Sequence, residues 1–137
     1  MKTNLIVRIF PVLLVGLVIV AVSFSGCNTR LADQRVMELG PGEINSVVID
    51  PVSHDQAVTV TANAEGAPIN VHVFRFADEE TVERAITLGI DSDKIIARQL
   101  DSHEISLTAT IPAGQEGAIR FATAKAASAK IKISISN

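Results

Sequence analysis

The chain has 137 residues, 47% of them hydrophobic, with 12 basic against 15 acidic side chains, a formal net charge of −3 and one cysteine. Neither that sign nor any clustering of Lys and Arg suits binding to nucleic acid or to anionic headgroups. A single cysteine excludes an intrachain disulfide, so the fold must rest on packing alone.

Residues 1–26 read as a leader. Lys2 and Arg8 make a short basic region, residues 9–22 are almost wholly apolar, and Ser25-Gly26 supplies the small residues that precede a signal-peptidase cut. The run Val22-Ser23-Phe24-Ser25-Gly26-Cys27 resembles the lipobox of bacterial lipoproteins, in which the cysteine is lipidated and becomes the first mature residue. The resemblance implies an acylated, palmitate-bearing Cys27, a membrane partner reached through that lipid, and an extracytoplasmic position at a bacterial cell envelope. Asn28, rather than Asp, after the cysteine resembles the outer-membrane sorting pattern of a diderm host. Two alternatives stay open. The apolar stretch 9–24 falls short of the roughly 20 residues that cross a bilayer, yet adding residues 5–7 nearly closes the gap and leaves an uncleaved single-pass anchor. The other is a plain secretory signal with Cys27 as a free thiol. The expected organisation is a signal peptide over 1–26, a lipidated cysteine and polar tether over 27–34, and one domain over 35–137.

Within that domain, short apolar runs alternate with turn residues. Residues 36–39 lead into Gly40-Pro41-Gly42-Glu43, a strong turn, and residues 44–49 end at Asp50-Pro51. Residues 57–62 alternate strictly, Val58 and Val60 against Thr59 and Thr61; 63–68 read as a loop. In residues 69–76, Ile69, Val71 and Val73 oppose Asn70, His72 and Phe74. Phe74 and Phe76 then fall on the phase opposite the aliphatic residues. A β-bulge could re-phase the strand, an exposed patch could mark a partner surface, or a helix could fold back as a cover, which is the preferred reading.

Residues 78–88 supply that helix. Asp78 is an N-cap candidate, Glu79 and Glu80 sit where the helix dipole favours acids, Val82, Ala85 and Ile86 share a face, and Gly89 is placed as the stop. Strand patterns resume at 95–100 and 104–111, where Ile105, Leu107, Ala109 and Ile111 point inward. A Pro112–Gly117 turn, a run around Ile119 and Phe121, and a closing strand 130–136 with Ile131, Ile133 and Ile135 inward complete the chain. About eight strands with one polar face each predict an all-β fold: an antiparallel two-sheet β-sandwich, jelly-roll-like, with one short helix.

The Leu39–Glu43 turn, the Ile69–Phe74 strand, the Ile111-Pro112-Ala113-Gly114 turn before Ile119-Arg120-Phe121, and the closing Lys130–Ile133 strand resemble the bacterial pre-peptidase C-terminal domain and its jelly-roll-like relatives. In that family an aromatic, often tyrosine, usually follows the Pro-Ala-Gly turn; Phe121 stands nearest, and the chain has no tyrosine or tryptophan. The resemblance implies an accessory module without enzymatic activity.

Candidate chemistry is sparse. His54, His72 and His103 share no metal-ligand spacing, and His72 is expected to be solvated or hydrogen-bonded. No Gly-x-Ser-x-Gly elbow supports a hydrolase. Asp91 and Asp93, flanking Ser92 in a loop, are the candidate metal ligands, with calcium as the ion; the alternative is that Asp and Ser simply form turns. Carbohydrate binding leans on Trp and Tyr faces, and their absence counts against it. The expectation is a non-catalytic, lipid-anchored envelope module, with another envelope protein as its partner. A calcium- or small-ligand-binding accessory domain is the alternative.

Overall fold

The computed structural model describes residues 31–137; the leader and Cys27 lie outside the described residues. Alternation in the sequence becomes eight strands: β1 (Ala32–Leu39), β2 (Ile44–Ile49), β3 (Gln56–Gly66), β4 (Ile69–Arg75), β5 (Ile95–Ser102), β6 (Glu104–Ile111), β7 (Gly117–Thr123) and β8 (Ala129–Ser136). They form two antiparallel four-stranded sheets, ordered β1-β8-β3-β6 and β2-β7-β4-β5. Apart from β4 and β5, neighbouring strands in each sheet are not consecutive in the chain, the double Greek-key arrangement of an eight-stranded jelly roll. The expected two-sheet β-sandwich is therefore the observed fold.

Period-2 patterning decides what lies between the sheets. Val58 and Val60 of β3 and Ile131, Ile133 and Ile135 of β8 face Val71 and Val73 of β4 and Ile119 and Phe121 of β7, all buried. Thr61, Ser106, Thr108, Lys130 and Lys132 project from the other face of the first sheet into water. Leu107, expected inside, is only half-buried, because β6 is an edge strand.

Two strands are longer than the pattern suggested. β3 runs on through residues 63–66, expected as loop, since Asn63 and Glu65 face solvent while Ala64 stays buried and the ladder to β8 continues to Gly66. β1 starts at Ala32, inside the stretch expected as tether, where polar residues pair with the end of β8.

After β4 the chain makes a 3-10 turn (Phe76–Asp78) and helix α1 (Glu79–Leu88). Asp78 does not cap the helix with its side chain; its carboxylate takes a 2.7 Å hydrogen bond from Arg75 Nε. Gly89, at φ 66°, ends the helix: its N–H donates to Ile86 O and that of Ile90 to Ala85 O, the paired bonds of a Schellman stop. The helix lies on the outer face of the second sheet, where Val82 packs on Phe74 and Ala118, flanked by Ile86 and Ile95. The cover expected for the phenylalanines thus holds for Phe74, which is fully buried, and not for Phe76, which is 40% exposed. Register also shifts near Val73/Phe74, in the pairing with β5, while β4 stays in continuous register with β7.

Candidate functional site

Helix α1 covers more than an apolar seam. On the same outer face, β7 offers Arg120, β4 offers His72 and β5 offers Arg98, and the registers place them side by side: His72 pairs with Arg120 on one flank and Arg98 on the other. A histidine between two arginines would be a repulsive row if all three were charged. The segment overhead answers each cation. Glu83 of α1 accepts a 2.6 Å bond from Arg120 Nε, and Asp91, just past the helix, lies 2.6 Å from Arg98 Nη1.

The two pairs differ in surroundings. The Arg120 side chain is only 6% exposed and Glu83 about a third exposed, whereas Arg98 and Asp91 are open to water. The first pair is a buried tie between helix and sheet, where loss of one partner strands a charge. The second is a surface pair worth about 0–1 kcal/mol.

His72 is buried, and its Nδ1 has no hydrogen-bond partner. Burial, reinforced by the fields of Arg120 and Arg98 and opposed by Glu83, pushes its pKa from 6.5 down to about 4. The imidazole is therefore neutral at pH 7. The expectation of a solvated or hydrogen-bonded His72 is corrected, because the helix closes over this face of the strand.

Beside His72 opens a cleft of about 220 Å³, with Asn70, Arg98 and Asp91 as its polar lining and Ile86, Ile90 and Leu100 among its apolar walls. Such a cleft suits a small group with an apolar body and a polar tip.

The sequence candidates fall out as follows. Asp91 reaches this cleft, but its carboxylate is paired with Arg98; Asp93 is exposed in the same loop, where Ser92 Oγ accepts the N–H of Lys94. Among the described residues no three His, Cys, Asp or Glu side chains gather in a way that could hold a metal ion. His54 lies in the β2–β3 loop, and His103, between β5 and β6, has its Nε2 3.1 Å from Gly66 O. Cys27 lies outside the described residues. Arg120, Arg98 and Glu83 were not singled out by sequence. The one local signal was an arginine at an outward phase in an otherwise apolar β7.

No family model matches this chain, and no curated protein sequence does. Solved structures do. The pre-peptidase C-terminal domain of a collagenase from Bacillus anthracis superposes with a TM-score of 0.56 at 11% identity, over 77% of this chain and 89% of that one. The mitogen of Yersinia pseudotuberculosis gives 0.49 at 5% identity, over 79% and 86%. A periplasmic inhibitor of g-type lysozyme from Aeromonas hydrophila gives 0.48 at 14% identity, over 80% and 88%. At such identities the likeness is one of fold: this chain carries a β-sandwich similar to the pre-peptidase C-terminal domain, as its turn and strand motifs suggested.

Proposed function

We propose that this chain is a lipid-anchored, non-catalytic module of a bacterial cell envelope that binds another envelope protein. The carrying observation is the aliphatic group at the end of α1. Leu88 is 64% exposed, Ile90 57% and Leu100 45%, and the latter two border the cleft. Large apolar side chains clustered at one edge of a polar surface mark a contact for a partner. The charged groups beside them support a non-catalytic reading, because Arg120 and Arg98 are both taken up by carboxylates of the chain itself.

The anchor reading rests on the leader and Cys27. Two or three acyl chains, at about 0.8 kcal/mol per buried CH₂, give stable attachment where one chain is marginal. Asn28 supports the outer membrane in a diderm host. A second reading, a small-ligand domain, is favoured by one observation, the unpartnered Nδ1 of His72 beside the cleft.

The test is a pull-down from native membranes in mild detergent, comparing the natural chain with Leu88→Asp/Ile90→Asp. Loss of a specific envelope protein with unchanged melting temperature supports the proposal. An unchanged partner set contradicts it, and binding that responds to His72→Gln but not to Leu88 and Ile90 favours the ligand reading.

A further inference from the structure

Four strands end the two sheets, and three of them are guarded against pairing with another chain. β1 carries Asp33, Arg35 and Glu38, with Arg35 and Asp33 salt-bridged to each other. β5 is irregular at two points in its pairing with β4 and holds Asp101 at φ 50°. β6 is capped by a side chain: the Gln99 amide donates to Glu104 O at 3.0 Å and accepts from Ser106 N–H at 2.9 Å, standing in for a neighbouring strand. Charges, bulges and covered edges are the usual devices that keep sheet edges from associating.

β2 has none of them. Its sequence, Ile44-Asn45-Ser46-Val47-Val48-Ile49, contains no charge and no proline, and its register with β7 is unbroken from Ile44 to Ile49. Among the described residues no side chain caps a backbone group of this strand. Its outward face is apolar at both ends, Ile44 being 48% and Val48 46% exposed on either side of Ser46.

We propose that β2 pairs antiparallel with β2 of a second copy of this chain, joining two four-stranded sheets into one of eight. The strand is complementary to itself. A twofold axis at Ser46 sets Ile44 against the partner's Val48, and Val48 against the partner's Ile44, two apolar cross-strand pairs of the kind that stabilise sheets. With no charge on the strand, the axis brings no like charges together. In β1 the charges that such an axis would pair, Asp33 and Arg35, are already salt-bridged to each other within the strand. Paired six-residue strands fall at the small end of specific interfaces, so the dimer is weak in dilute solution and depends on local concentration. This goes beyond the partner contact at α1, which lies on a different part of the surface and fails independently.

The experiment uses the full chain in native membranes. The Ser46→Cys variant is subjected to mild oxidation, with Thr61→Cys on the exposed face of central strand β3 as control and the natural chain as background for Cys27. The expected result is a disulfide-linked homodimer of the Ser46→Cys variant, with at least about tenfold the yield of the Thr61→Cys control. That yield should fall about tenfold when Val48→Lys is added, with the melting temperature unchanged. Equal yields from the two variants, or a Ser46→Cys yield indifferent to Val48→Lys, overturn the proposal. So does cross-linking of the Ser46→Cys variant to a chain of different mass, which would give the edge to another protein.

Discussion

Removing the carboxylate of Glu83 should loosen α1 from the sheet. Glu83→Ala leaves the Arg120 guanidinium, 6% exposed, without the group 2.6 Å from its Nε. Breaking a buried ion pair from one side costs roughly 3–5 kcal/mol. Because Glu83 is about a third exposed, water can reach the vacated position, which argues for the low end, about 3 kcal/mol. A domain of about 110 residues unfolds with an entropy of roughly 0.2 kcal/mol per kelvin at its midpoint, so the melting temperature should fall by about 13 °C. The companion variant Glu83→Leu/Arg120→Met removes both charges and leaves apolar side chains beside Phe74, Val82 and Ala118. Replacing a buried pair by packed hydrophobic groups is close to neutral, so this variant should melt within about 1 kcal/mol of the natural chain. Thermal melts followed by circular dichroism read both. A Glu83→Ala protein that melts within about 2 °C of the natural chain, or a double variant no better than the single one, would refute the tie between helix and sheet.

Three further outcomes follow from the same packing. His72 is neutral in the fold with a pKa of about 4 against 6.5 unfolded, so the unfolded chain binds the extra proton as pH drops below 6.5. Stability is lost progressively from pH 6.5 down to about 4, by up to about 3 kcal/mol, and no further below it; urea melts of the natural chain minus those of His72→Gln should isolate this component. Gly66 adopts φ 96°, and a Cβ there would sit 2.6 Å from Ser128 O, so Gly66→Ala should cost about 2–3 kcal/mol in urea melts. Ile131→Ala should cost about 2–5 kcal/mol, whereas Lys132→Ala, one residue along on the wet face, should stay within about 0.5; equal costs would place β8 in the wrong register.

Most strands and the helix were legible because each buries one face, while β4 and β7 are covered on both. Alternation in 57–62, 104–111 and 130–136 is local, and so are the acids before α1 and the glycine after it. The covering of Phe74 was legible for the same reason, since two apolar phases in one strand demand a partner on each side. What local pattern could not carry was pairing at a distance. Residues 63–66 look like a loop until β8 supplies the ladder, and residues 32–34 look like tether until they meet 134–136. The site lay deepest. Glu83 and Arg120 are 37 residues apart, and the pairing of Asp91 with Arg98 depends on where the chain returns after Gly89. The Asp-Ser-Asp loop could be read locally as a calcium ligand set or as a turn, whereas the pairing of Asp91 with Arg98 was not visible in local pattern.

The intact mass of the protein extracted from native membranes tests the central claim most directly. The lipid-anchored account predicts a chain beginning at Cys27 and heavier than its amino-acid sequence by two or three acyl chains on a glyceryl thioether, and Cys27→Ser should abolish that species together with membrane retention. An unmodified mass that includes residues 1–26, with Cys27→Ser still held in the membrane fraction, would contradict it and identify the leader as an uncleaved anchor.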